Sequence, residues 1–137
     1  MFSVEALNVL KKKGYKITKP RAWIIDYLNE EKSHPSAMEI FENIRSRKKD
    51  LSFATIYNTL DILTKENIIR QIKVEPHCSR YESDIDAHGH FYCRRCKTVF
   101  NIYGLCSDIK NQVEIGKIED YDIIVYGLCK KCAVGDH

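Results

Sequence analysis

The sequence predicts an α+β protein: an N-terminal winged helix-turn-helix domain followed by a small C-terminal α/β domain held together by clustered cysteines. Three observations predict it. Up to about residue 65, apolar side chains recur at helical spacing behind serine and threonine caps. From Ile68 to Glu82 the pattern is that of a hairpin. Beyond Asp84, short strand-like runs alternate with tight turns and grouped Cys and His.

The elements follow in order. Val4, Leu7 and Leu10 share a helical face, and Gly14 stops that run. Thr18 caps a second helix with Pro20 in its first turn and Trp23, Ile24, Tyr27 and Leu28 on one face. Ser36-Ala37-Met38-Glu39 is a capping-box pattern that opens a third helix with Ile40, Phe41 and Ile44 inward, ending in the basic run Arg45 to Lys49. Ser52 caps a fourth helix to about Lys65, with Ile56, Leu60 and Leu63 as its buried stripe. Ile68 to Val74 then reads as a strand, Glu75 to Ser79 as a turn and Arg80 to Glu82 as the returning strand, and helices followed by a hairpin spell a winged helix. In the second half, Phe91-Tyr92, Thr98 to Ile102 and Ile123 to Tyr126 are strand candidates, with a helix within Ser107 to Val113. These features put the first domain at 1–82, a hinge at 83–87 and the second domain at 88–137.

Charge is unevenly divided. Residues 1–80 carry 15 Lys and Arg against 10 Asp and Glu, and the remainder 7 against 9. A basic front and an acidic back suit a half that binds nucleic acid joined to a half that holds cations, although ordinary surface scatter gives the same split. No stretch approaches the roughly 18 apolar residues of a membrane span, and Met1 to Glu5 lacks the pattern of an export signal, so the expected compartment is the cytoplasm. Six cysteines in a reducing compartment favour metal binding over a disulfide framework.

Cys93-x-x-Cys96 and Cys129-x-x-Cys132 are two hooks, each able to grip one side of an ion. Together they complete the closed tetrahedral thiolate shell that zinc prefers, whereas two unrelated thiol pairs or a redox CxxC would be the ordinary alternative. The apolar residues of this half are too few for an independent core, so a metal staple would be part of its folding energy. In His88-Gly89-His90 the two imidazoles fall on one face of an extended segment and can converge on one ion, with Glu82 upstream and His34 far away in sequence; a lone His-x-His is as often structural. Nitrogen and oxygen ligands of this kind suit reversible binding of Fe(II) or Mn(II). On the fourth helix, Thr55, Tyr57, Asn58 and Thr59 occupy the turns that meet base edges in a helix-turn-helix, or form merely a solvated face. Lys11 to Lys13, Lys16, Lys19 and Arg21 would contact phosphates, which position the protein without specifying sequence.

Taken together the motifs resemble those of the ferric uptake regulator family over nearly the whole chain. Ile17-Thr18-Lys19-Pro20-Arg21 is similar to the family's opening helix motif, His34-Pro35-Ser36-Ala37 to its His-Pro-x-Ala segment, and Ala54 to Leu60 to its recognition helix. Glu82 with Asp86 to Cys96 is similar to its hinge, sensor and zinc segments in unbroken order. The resemblance implies a homodimer that represses from an AT-rich palindromic operator in double-stranded DNA, with one structural Zn2+ and one regulatory Fe2+ or Mn2+ per subunit. It implies that His34, Glu82, His88 and His90 form the regulatory site between the domains. It also implies that the second half is the dimerisation domain.

Asn58 after Tyr57 resembles the peroxide-sensing branch, where iron-sensing members usually carry Arg. That branch implies that ferrous iron reduces peroxide and that His34 or His88 is oxidised, opening the repressor irreversibly. Glu82 and Asn101 stand where that branch usually has Asp, and Asn101 offers only a neutral carbonyl oxygen as a fifth ligand. An iron-responsive regulator of metal uptake is the alternative. More remote are a metal-dependent hydrolase, for which no nucleophile motif or phosphate loop is present, and a zinc-ribbon interaction module. Cys78 and Cys106 lie outside the hooks and read as ordinary small side chains.

Overall fold

The computed structural model describes residues 2–31, 33–75, 78–85, 88–104 and 114–134, which form two compact units, Met1–Ile85 and Asp86–His137. The helix expected within Ser107 to Val113, Cys106 and hinge residues 86–87 lie outside the described residues. Among those described, no helix is long and apolar enough to cross a membrane.

The first unit runs α1 (Phe2–Lys12), α2 (Lys19–Glu30), α3 (Ala37–Arg45), α4 (Phe53–Lys65), β1 (Arg70–Glu75) and β2 (Cys78–Glu82). Local chemistry fixes most boundaries. Thr18 Oγ1 accepts the backbone N–H of Arg21 at 3.3 Å to start α2, and Pro20 sits in its first turn. Ser36 Oγ accepts from Glu39 N at 3.2 Å and Ser52 Oγ from Thr55 N at 3.2 Å, each satisfying an orphan donor of its helix. Gly14, at φ 85°, turns the chain out of α1 in the left-handed region where a side chain would be strained.

The core joins Leu10, Ile24, Ile25, Leu28, Ile40, Ile56, Leu60 and Leu63, all at or below 1% exposure, with Leu51 filling the turn between α3 and α4. Burying each such side chain contributes about 1.5–3 kcal/mol, so this unit has a core of its own. In α1, Ala6 and Leu10 are buried and Leu7 and Val9 pack against the core, so the expected face holds at Leu7 and Leu10, whereas Val4 is exposed. The hairpin is antiparallel, from Arg70↔Glu82 to Lys73↔Ser79, with an irregularity before Glu75↔Cys78. Glu75, Cys78 and Ser79 therefore belong to strands rather than to the turn. Ile68 and Ile69 precede β1 and are buried in the helical core instead of lying in the strand.

The second unit is a three-stranded sheet, ordered β4 (Val99–Ile102), β3 (Gly89–Cys93), β5 (Ile123–Gly127), with a short α5 (Lys130–Val134) after it. β3 and β4 are antiparallel and β3 and β5 parallel. Tyr92, Cys93 and Val99 are its buried hydrophobic residues among those described, too few to hold a domain together by apolar burial alone.

Candidate nucleic-acid interface and metal centres

In the first unit, α3, the turn at Leu51 and α4 make the helix-turn-helix, and β1–β2 the wing. Tyr57 and Asn58 project from the exposed side of α4 together with Ala54 and Asp61, which the sequence reading left out. Tyr57 is held edge-on to Phe53 (4.8 Å between ring centroids), and Phe53 edge-on to Phe41 (5.3 Å), so an aromatic ladder sets its direction. Thr55 is partly buried, its hydroxyl 2.7 Å from that of Ser52. Lys16 and Lys19 are exposed; Arg21 donates to the Lys16 carbonyl at 2.7 Å and so braces the loop that presents them.

Thr59 does not belong to that face. It is 1% exposed and lies in the stripe with Ile56, Leu60 and Leu63, because position 59 falls on the inward side of the helix. Its hydroxyl has no hydrogen-bond partner among the described residues, which makes it a cost to folding. Thr59→Val keeps the branched shape and removes that cost. It is expected to raise stability by about 1 kcal/mol, read as a higher guanidinium midpoint with unchanged DNA affinity; a loss of DNA affinity would return Thr59 to the interface.

The same unit builds a buried histidine–carboxylate pair from residues far apart in sequence. Ser36 bridges Arg80 in antiparallel fashion, and Tyr81 N donates to the Pro35 carbonyl at 2.9 Å. Continuing that register sets His34 opposite Glu82, and His34 Nε2 lies 3.6 Å from Glu82 Oε1, both side chains being buried. The His34 carbonyl accepts from Arg80 at 3.3 Å. His34 itself has φ 59°, a conformation costing on the order of 1 kcal/mol for a non-glycine residue that persists only where surrounding structure imposes it.

In the second unit, His90 pairs with Asn101 across β3 and β4. Alternation puts His88 on the same side as His90, and both are buried, their ring centroids 4.5 Å apart. His88 Nε2 lies 3.1 Å from Asn101 Oδ1. Burying these imidazoles is unfavourable unless each has a polar partner, and a divalent cation is one such partner.

The four hook cysteines come together. Their sulfurs all lie within 4.8 Å of one another, with Cys96 and Cys129 Sγ 3.9 Å apart. A tetrahedral ion with metal–sulfur bonds of 2.3 Å needs sulfurs about 3.8 Å apart, so the donor set fits zinc. Cys93 ends β3, Cys129 follows β5 and Cys132 lies on α5. Cys93 Sγ accepts the backbone N–H groups of Cys129 (3.4 Å) and Cys96 (3.5 Å). Led by the Cys129 N–H, such donors hold the Cys93 thiol down at about 6, while burial and then the neighbouring sulfurs push Cys132 up to about 12. Thr98, through its hydroxyl and then its backbone, lowers Cys96 as well. Four thiols in so small a space ionise together only around a cation.

The sequence profile of the ferric uptake regulator family matches residues 12–126. The chain belongs to that family. Among its relatives, the peroxide operon regulator of Bacillus subtilis is 28% identical over 133 residues, spanning 94% of this chain and 92% of the relative. The peroxide-responsive repressor PerR of Staphylococcus epidermidis is 28% identical over 134 residues, spanning 93% and 88%. The solved structure of the Helicobacter pylori ferric uptake regulator Fur superposes with a TM-score of 0.79 at 28% identity, covering 96% of this chain and 91% of that one. Family members of both the peroxide and the iron type are thus similar to it along almost their full length.

Proposed function

We propose that this chain is a metal-dependent repressor of the peroxide-responsive kind, acting as a homodimer on an AT-rich palindrome in the cytoplasm. The observation that supports it best is the burial of three histidines and a carboxylate, His34, Glu82, His88 and His90, in a chain whose other marked feature is a winged helix. These four, with Asn101 as a neutral fifth ligand, would hold one Fe2+ or Mn2+ per subunit, and Cys93, Cys96, Cys129 and Cys132 one Zn2+. A ligand set drawn from both units would make metal affinity depend on their arrangement, so metal would favour the arrangement that binds DNA. Tyr57 and Asn58 would read bases, with apolar contact to thymine and paired hydrogen bonds to adenine, while Lys16, Lys19 and Arg21 hold phosphates. The opposite side of the sheet supports a dimer: Phe100 and Val125 are exposed there, beside a concavity of about 1080 Å³ lined in part by Phe91, Ile102 and Leu128.

Bound ferrous iron would supply the electrons that reduce peroxide, placing oxidation at His34 or His88. The test is to load the zinc-replete protein with Fe(II) or with Mn(II), add low peroxide, and measure binding to a palindrome selected from random duplexes alongside the masses of peptides containing His34 and His88. Added oxygen on either histidine in the iron form alone, with loss of DNA, is the expected result. Intact histidines with DNA binding that follows metal concentration would instead make the protein a regulator of metal uptake, a reading favoured by the neutral Asn101 and by likeness to the Helicobacter pylori regulator, whose structure is described as having three functional metal binding sites.

A further inference from the structure

The sheet register places four residues on one side of the β3–β4 pair. Gly89 lies opposite Ile102 and His90 opposite Asn101, so His88 and Tyr103, one step beyond, come onto the same side as His90 and Asn101. The side chains bear this out. His88 Nε2 is 3.1 Å from Asn101 Oδ1, Asn101 Nδ2 donates to the Tyr103 hydroxyl at 3.2 Å, and the Tyr103 ring lies over His88 with centroids 5.2 Å apart and planes tilted by 33°.

An asparagine in a metal site has a difficulty that a carboxylate lacks. Its two ends are nearly the same shape, but only Oδ1 has a lone pair to offer an ion; turned over, the amide presents N–H groups that repel one. A neighbour that holds the Nδ2 end in place also fixes where Oδ1 points. From this geometry we infer that Tyr103 is a positioning residue that, by engaging Nδ2 through its hydroxyl, directs Asn101 Oδ1 toward His88 and the regulatory metal. Tyr103 is 65% exposed, so burial in a core does not account for its placement. The inference rests on the regulatory-metal reading above, and it makes Tyr103 and Asn101 a unit: the hydroxyl of the phenol bears on the metal only through the side chain at 101.

That dependence supplies the test. In the protein with its thiolate site filled by zinc, Mn(II) affinity is measured by electron paramagnetic resonance and the Co(II) ligand-field spectrum is recorded for Tyr103→Phe, Asn101→Ala and the double variant. Phe retains the ring over His88 and lacks the hydroxyl. The loss of one hydrogen bond predicts Mn(II) binding weaker by roughly three- to tenfold for Tyr103→Phe, with an altered Co(II) spectrum. In the Asn101→Ala background, where no side chain remains at 101 for the hydroxyl to position, the same substitution should change neither. Equal weakening in both backgrounds would mean that Tyr103 acts through packing and would overturn the inference, as would no weakening in either. Failure of the underlying site is read separately: if His88→Ala binds Mn(II) as well as the parent, the metal is held elsewhere and the role of Tyr103 falls with it.

Discussion

Serine in place of Cys93 is expected to abolish zinc binding and unfold the second unit in a single event. Cys93 is fully buried, terminates the central strand β3, and receives N–H groups from both hooks. Serine has the size to occupy the position but not the thiolate. The other buried hydrophobic residues described in this unit are Tyr92 and Val99, whereas binding of a structural zinc is worth on the order of 10 kcal/mol, so the metal outweighs the apolar core. On the function proposed above, zinc content should fall from one per chain to near zero, sheet signal should be lost, and the proposed dimer should dissociate. The first unit keeps its helices, since its core from Leu10 to Leu63 is its own. A zinc-free variant that remains a folded dimer would remove the structural role of the four cysteines.

His88→Ala is expected to separate the two metals. His88 lies on the side of the sheet with His90 and Asn101, while the hooks gather beyond the far end of β3, so the thiolate site should keep its zinc. Loss of a ligand should weaken the regulatory metal by at least about 100-fold, since even groups that only orient ligands are worth 10–100-fold. DNA affinity in the presence of Mn(II) should fall to that of the metal-free protein, while affinity without metal stays unchanged. Undiminished metal-activated binding, measured by fluorescence anisotropy on the same duplex, would exclude His88 from the site. Weakening with and without metal alike would point to a damaged fold.

What could be read from the sequence was whatever is decided within a few residues. The caps Thr18, Ser36 and Ser52 act over three positions, and the stripe of Ile56, Leu60 and Leu63 repeats within one helix. The hooks were legible for the same reason, since Cys-x-x-Cys already closes half a coordination shell. Thr59 was misjudged because its hydroxyl was weighed above its position; on the buried stripe a branched side chain packs as valine would. Val4 was misjudged because a helix with Val4, Leu7, Val9 and Leu10 offers two overlapping apolar faces, and the choice rests with α2. The pairing of His34 with Glu82 depends on a backbone bridge between Ser36 and Arg80 that no local pattern encodes. Likeness to a known family suggested those residues, and the register supplies their physical reason.

The two hooks also set a sequence of events in time. A separation of 33 residues divides Cys96 from Cys129. At ribosomal speeds of 5–20 residues per second, the first hook waits about 2–7 s for the second to be made. The helical unit, built from nearer neighbours, has folded by then. On the function proposed above, a cell short of zinc would accumulate chains with a finished winged helix and an unclosed second half, and the supply of one metal would ration the number of molecules able to respond to the other.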